Sequence, residues 1–417
     1  MKKRSFSRTK KSCYFAYLAT ASVFSMPPLL FVTFRDMYGI SYTLLGTLVL
    51  INFCTQLTID LIFSFFTKYF NIHKTVIAMP LITSAGLFIY ALVPSFFPDI
   101  AYLGLVVGTV IFSVSAGLCE VLISPIVAAI PSDTPDKDMS LLHSLYAWGV
   151  MSVVIISTVF LTVFGRENWM FLTLFFAVIP LFAAYLFATS PMPELNLSHA
   201  ASTQKTKNAK EKNIGLLLCL GCIFLGSAAE NTMSNWISGY MENALNIPKA
   251  WGDICGMALF AILLGLGRTL YAKYGKNIVN TLLVSMICAF VCYITAGLSQ
   301  NVILSFIACV LTGCCTSMLW PGTLIMMEEK LPALGVAAYA LMAAGGDFGA
   351  SVAPQLLGIV VDTVSASDSA LNLAETLSLT PEQIGMKAGM LTASLFPFLG
   401  MFLLIYIKKY FSKKEIK

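Results

Sequence analysis

Apolar runs of about 20 residues recur from Tyr14 to Lys408, separated by charged residues or by Pro and Gly. A run of roughly 20 apolar residues is what a helix needs to cross the hydrocarbon core of a bilayer. Reading the runs between their polar boundaries predicts twelve helices, at 14–34, 42–67, 75–96, 100–130, 140–164, 168–188, 213–240, 252–272, 278–298, 301–327, 335–362 and 388–408. The short alternating segments of a transmembrane barrel do not occur. The expected fold class is all-α: a polytopic membrane protein of twelve transmembrane helices.

Composition agrees. The 417 residues are 58% hydrophobic and 11% charged, with a mean hydropathy of +0.81. A soluble domain carries about 25% charge. The net charge of +5 matters less than its placement. With the N-terminus inside, all of the 26 Lys and Arg except Arg35, Arg166, Lys249 and Lys387 fall on the inner side. That asymmetry predicts a multi-pass protein of the inner (plasma) membrane with both termini cytoplasmic. It also explains the basic ends, MKKRSFSRTKKS and KKYFSKKEIK, without nucleic acid as a partner. Too few apolar residues precede the ATA at Ala19 to Ala21 for a cleaved signal, so Tyr14–Phe34 is read as the first span. Ten of the 11 cysteines lie in apolar runs, and the pair Cys219 and Cys222 has no second pair or histidine nearby. They read as packing residues, and no metal or cofactor is expected.

The polar, basic stretch Ser190–Asn213 divides the chain into an N-terminal half (1–189), a cytoplasmic linker (190–213) and a C-terminal half (214–417). The halves repeat. GLCEVLISP at Gly117–Pro125 matches GCCTSMLWP at Gly313–Pro321 in Gly, Cys and Pro at an offset of 196, and the same offset carries Gly149 onto Gly345. TKYF at the end of span 2 corresponds to AKYG at the end of span 8. Duplicated halves are a transporter feature, with solute held between them near the midplane. The outer loop Ser365–Lys387 is long enough for a short amphipathic helix.

A charge within a span costs about 2.5–3.5 kcal/mol on insertion scales, so it marks a paired contact or a polar pathway. Such residues are Asp60 in span 2, Glu120 in span 4, Glu230 in span 7, Arg268 in span 8 and Asp347 in span 11, with His143 near the inner end of span 5. Spans 3, 6, 9 and 12 carry none centrally, as expected of a lipid-facing layer. Span 7, GSAAENTMSNWISGYM, is the most polar. Asn231 and Asn235 stack four apart, which suits either interhelical hydrogen bonds or the lining of a cavity. Trp169 and Trp251 fall at predicted outer interfaces. Trp148, Trp236 and Trp320 lie within spans, where each is a packing residue or a flat face for a sugar ring. Pro125 and Pro321 occupy matching places and can kink their helices.

Twelve spans, a central linker and duplicated halves resemble the major facilitator superfamily. GLCEVLISP, with its Gly, Glu and Pro, and SLLHSLYAWG at Ser140–Gly149 are similar to spans 4 and 5 of the fucose/glucose/galactose–proton symporter branch. AAGGDFGASVAPQLLGIVVD resembles its span 11, with Asp347 added. Two departures stand out. Thr67 occupies the place of the superfamily's loop aspartate, and span 1 (ATASVFSMPPLLF) lacks the carboxylate of the fucose member.

The resemblance implies a secondary active transporter, not an enzyme, that acts as a monomer in the bilayer. It moves a small polar solute, a sugar above others, by proton symport. Glu120 is the leading proton-coupling candidate, with Asp60 and Glu230 as substitutes. Glu120, Asn231, Asn235, Trp148, Trp236 and Trp320 are candidates for solute binding. Asp60 with Asp347, and His143 with Arg268, are candidate gating pairs. Proton-coupled efflux of drugs or metabolites is the alternative function, and a transporter-derived solute receptor a more distant one.

Overall fold

The computed structural model describes residues 6–66, 69–132, 135–193, 209–331 and 336–415. Thr67, Lys68 and most of the expected linker lie outside these residues. The chain forms two compact units. One comprises 1–40 and 51–197, the other 41–50 and 198–417. The boundary passes through a helix at Leu50, so the first turns of the second predicted span belong with the C-terminal unit.

Among the described residues the regular structure is all helical, without strands. In the first unit, α1 (Ser7–Leu29) and α2 (Phe31–Tyr38) are followed by α3 (Tyr42–Phe66), α4 (Ile72–Phe96), α5 (Ala101–Ala129), α6 (Pro135–Phe164) and α7 (Trp169–Ala188). In the second are α8 (Ala209–Asn243), the single turn α9 (Lys249–Trp251), a π-helical stretch (Gly252–Ala258) and α10 (Leu259–Tyr274). Then come α11 (Ile278–Leu298), α12 (Val302–Thr316), α13 (Leu319–Lys330), α14 (Val336–Ser365), α15 (Asp368–Leu377), α16 (Pro381–Ala393) and α17 (Leu395–Glu415). Among the described residues, ten helical segments are long and apolar enough to cross a membrane, and α1 with α2 makes an eleventh, bent by 49°. The shorter apolar stretch Trp148–Phe164 of α6 coincides with the fifth predicted span.

Proline chemistry explains the bend in span 1. Pro27 and Pro28 end α1, and neither has an N–H for the carbonyl four residues before it. Gly39 then closes α2 with φ +64°, the left-handed cap that glycine adopts without strain. The core of the first unit joins Cys13, Phe63, Met79, Leu118, Leu122, Ile126 and Phe187, from five helices. Trp169, at the opposite end of α7 from Phe187, is buried at 1% exposure and meets Phe34 edge to face at 4.9 Å. It is therefore a core residue and not part of an interfacial belt. Trp251, at 64%, is exposed as expected.

In the second unit, α8 and α11 are tied reciprocally. The hydroxyl of Tyr240 on α8 donates to Ala296 O, and that of Tyr293 on α11 donates to Ala229 O at 2.7 Å. Asp362 on α14 accepts from the Tyr42 and Thr43 N–H groups at 3.1 and 2.6 Å, satisfying two of the four orphan donors at the start of α3. The Tyr42 hydroxyl meets Glu382 and also accepts from Asn243 at 2.6 Å. The expected short amphipathic helix is α15. A Thr380–Gln383 capping box with Pro381 at the first position starts α16 seven residues before the predicted span. Lys387, expected in the loop, is consequently buried in that helix and donates to Ser299 O at 2.6 Å.

The repeat seen in the sequence recurs as matched helix crossings. A Cβ on Gly117 of α5 would lie 3.1 Å from Gln56 O of α3, and one on Gly313 of α12 would collide with Phe260 O of α10. Gly149 of α6 lies against Leu18 of α1, and Gly345 of α14 against Leu220 of α8. Small residues allow such close approach where lipid provides no hydrophobic drive. Thus spans 4 on 2 and 10 on 8, like 5 on 1 and 11 on 7, are held at equivalent glycines within each unit.

Candidate functional site

In the first unit the site is built on α5. Residues Ser115 to Cys119 are buried, and Glu120 is exposed. Leu118 and Leu122 point into the core, while position 120 lies away from them on the helical wheel. Asp60 approaches from α3. Its Oδ1 would be 3.2 Å from a Cβ on Gly117, so the missing side chain at 117 makes room for the carboxyl. That Oδ1 is buried and has no hydrogen-bond partner among the described residues. Glu120 lies within electrostatic range of Asp60 and of the Tyr17 phenol on α1.

An aromatic row continues from Tyr17. Tyr17 and Tyr146 are 6.1 Å apart between centroids, Tyr146 and Phe24 5.8 Å, and Phe24 and Phe53 6.3 Å. All four are half-buried. Trp148, on α6 with Tyr146, is 58% exposed. Neither Tyr17 nor Tyr146 stood out in the sequence, because tyrosines in apolar runs are common. The missed signal was that both belong to helices carrying the repeat glycines or packing on them.

In the second unit the chemistry follows from Pro321. Its ring nitrogen cannot donate to Ser317 O, four residues earlier, and the span breaks there between α12 and α13. Arg268 on α10 fills the gap: its Nε donates to Ser317 O at 3.0 Å. Its Nη2 reaches Glu230 Oε1 on α8 at 3.3 Å, and Glu230 is only 16% exposed. The second Glu230 oxygen, Oε2, is buried without a hydrogen-bond partner. Gly267 lets this happen, since a Cβ there would run into the Ser317 side chain. α5 runs unbroken through Pro125, so the matching proline does not break the first unit.

Several expected site residues are otherwise engaged. Trp236 is buried at 1%, donates Nε1 to Pro354 O at 3.1 Å and packs on Tyr42 at 5.6 Å. It is a packing residue, because its only polar atom is spent on α14. Asn231 donates to Ser227 O and Oγ at 3.1 and 3.2 Å, and Asn235 to Asn231 O at 2.8 Å, so their amide N–H groups turn back on their own helix. Trp320 is half-buried, its ring filling the space over Gly346. Asp347 is buried at 6%. Arg268 is held by Glu230 and Ser317 within the second unit, and the His143 side chain of the expected pair lies outside the described residues. One buried ion pair was missed: Lys249 Nζ and Asp253 Oδ1 are 3.3 Å apart, with Ser238 bonded to the same carboxylate. The π-helical stretch carries Asp253 inward, a register that apolar periodicity does not reveal.

Among the described residues no group of three or more His, Cys, Asp or Glu could hold a metal ion. No curated protein sequence matches the chain. Solved structures resemble it in fold. A bacterial homologue of the human lysosomal transporter Spinster, inward-facing and occupied, gives a TM-score of 0.76 at 14% identity, over 99% of each chain. A D-xylose–proton symporter gives 0.69 at 13% identity, covering 94% of this chain and 98% of that one. The fucose–proton symporter of E. coli gives 0.55 at 12%, covering 95% and 99%. At such identities the likeness is one of architecture. The sequence itself matches the Major Facilitator Superfamily model over residues 13–354, and the chain belongs to that superfamily of membrane transporters.

Proposed function

We propose that the protein is a proton-coupled symporter of a small polar solute, best fitted to a sugar, and that it works by alternating access. The observation that carries this reading is the exposed Glu120 on an otherwise buried stretch of α5, within electrostatic range of Asp60 and Tyr17. An ionised carboxylate only accepts hydrogen bonds, whereas a protonated one also donates. Proton and solute hydroxyls therefore act on the same two oxygens. A neutral carboxyl also costs far less to carry through an apolar cycle than a charged one. The exposed face of Trp148 and the tyrosine row offer flat apolar surfaces for the C–H side of a sugar ring. Asp60, with an unpartnered oxygen, is the second titrating group in this scheme. Glu230 serves as counter-ion to Arg268. The protein works as a monomer in the plasma membrane with both termini inside.

The xylose and fucose symporters among the structural neighbours support this reading. The aromatic row Tyr17–Tyr146–Phe24–Phe53 favours a second reading, efflux of a less polar solute. Proteoliposomes separate the two. External alkalinisation on adding one monosaccharide, absent in Glu120→Gln, supports symport. Folded protein that gives no pH response to any monosaccharide, but moves protons against cationic amphiphiles, replaces symport with efflux.

A further inference from the structure

Two adjoining cavities lie at the end of the second unit where α10 and α13 finish and α11 begins. The first, of ≈ 200 Å³, is lined by Lys276, Lys330 and Lys408, with Glu329 and Asn277 beside them. The described lining thus carries three lysines and one glutamate. The second, of ≈ 540 Å³, shares Lys276 and Asn277 with the first. It runs along α11 past Thr281, Val284 and Ser285 to Cys288, where α12 contributes Cys314 and Cys315. Lys408 joins the two, donating to Asn280 Oδ1 at 2.8 Å.

The dimensions and chemistry suit one class of ligand. From Asn277 to Cys288 the groove follows eleven residues of helix, about 16 Å at 1.5 Å per residue. One leaflet of a bilayer with a core of about 30 Å is about 15 Å deep. The groove therefore has the length of a single leaflet's acyl chain and ends in apolar and thiol side chains. The lysines stand where that chain's headgroup would be. Topology alone accounts for lysines at a span's end. It does not account for a groove of leaflet depth opening from their midst.

We propose that this pair of cavities is a binding site for an anionic phospholipid, its phosphate among Lys276, Lys330 and Lys408 and one acyl chain along α11. The ligand is a diacyl lipid and not free phosphate, because the groove contributes the larger cavity. The proposal is independent of the solute the protein carries.

The test uses the full chain in a mild detergent, with bound lipid counted by native mass spectrometry and thermal unfolding measured alongside. Phosphatidylglycerol, phosphatidylcholine and inorganic phosphate are titrated separately. Phosphatidylglycerol is expected to bind and raise the unfolding temperature, and phosphatidylcholine and phosphate are not. Each of Lys276→Gln, Lys330→Gln and Lys408→Gln should weaken binding about fivefold, near the electrostatic worth of one lysine at an anionic surface. Ser285→Phe, which fills the groove without changing charge, should abolish retention and decides the matter if a lysine variant fails to fold. Equal binding of phosphatidylcholine, equal stabilisation by phosphate, or unchanged phosphatidylglycerol binding in Ser285→Phe would overturn the proposal.

Discussion

Arg268 donates its Nε to Ser317 O at 3.0 Å, the carbonyl that Pro321 leaves without a helical partner. The proline opens the helix, the arginine closes the hydrogen-bond account, and its far end is neutralised by Glu230. A broken span in lipid is tolerated only where the freed backbone groups are satisfied again. Arg268 is therefore part of the backbone solution in the second unit as much as a charge in the membrane.

That relationship sets a first expectation. Arg268→Met leaves Ser317 O unpaired and Glu230 without a counter-ion, and should destabilise the protein by about 2–4 kcal/mol. Solvent reaches Arg268, which is 43% exposed, so the loss is smaller than for a fully buried pair. Adding Glu230→Gln should recover part of the loss. Thermal unfolding of the single and double variants in detergent measures it, and equal stability of Arg268→Met and the parent would contradict the bonding described.

The repeat glycines give a second. Gly313→Ala places a methyl against Phe260 O and should cost about 1–3 kcal/mol through overpacking. Gly265→Ala, where nothing lies within 4 Å, should be neutral or gain up to about 1 kcal/mol from helix propensity. Comparison of the two unfolding midpoints separates a packing glycine from a merely permissive one.

Asp362 gives a third. As the acceptor for the Tyr42 and Thr43 amides, it should hold the first turn of α3 against fraying. Asp362→Ala should cost about 1 kcal/mol, the usual worth of a cap. Hydrogen exchange of the Tyr42–Leu44 amides should rise in the variant, while the Tyr240–Ala296 region keeps its protection.

The tryptophans give a fourth. Trp236→Phe should lower stability, through the lost bond to Pro354 O, and leave solute affinity near the parent value. Trp148→Ala should do the reverse. Solute-dependent fluorescence in the two variants distinguishes them, and loss of affinity in Trp236→Phe with affinity intact in Trp148→Ala would invert the assignment.

Much of this was legible in the sequence. Apolar run length located a helix at every predicted span, because the bilayer imposes length and hydrophobicity together. The offset of 196 between Gly117 and Gly313 foretold equivalent crossings, since a close helix approach needs a small residue. What was not legible depends on direction around a helix axis and on helix ends. Trp236 and Trp148 look alike in sequence, yet one is at 1% and the other at 58% exposure. Lys387 and Lys249 looked like loop charges until a capping box and a π-helical register drew them inward. Arg268 had several possible acidic partners in the sequence, and only the break at Pro321 singles out its place. In the candidate site, Glu120 and Asp60 were visible as buried-looking carboxyls, but Tyr17 and Tyr146 acquire meaning only from the helix packing that brings them together.

The central claim is that Glu120 couples solute movement to a proton. Its most direct test compares two modes in the same proteoliposomes, once a transported solute is known: uptake driven by a pH gradient, and solute exchange at equal pH. Glu120→Gln, fixed in the neutral form, should keep exchange and lose gradient-driven accumulation. Gradient-driven accumulation at the parent level in Glu120→Gln would contradict the account and pass the coupling role to another group, Asp60 first.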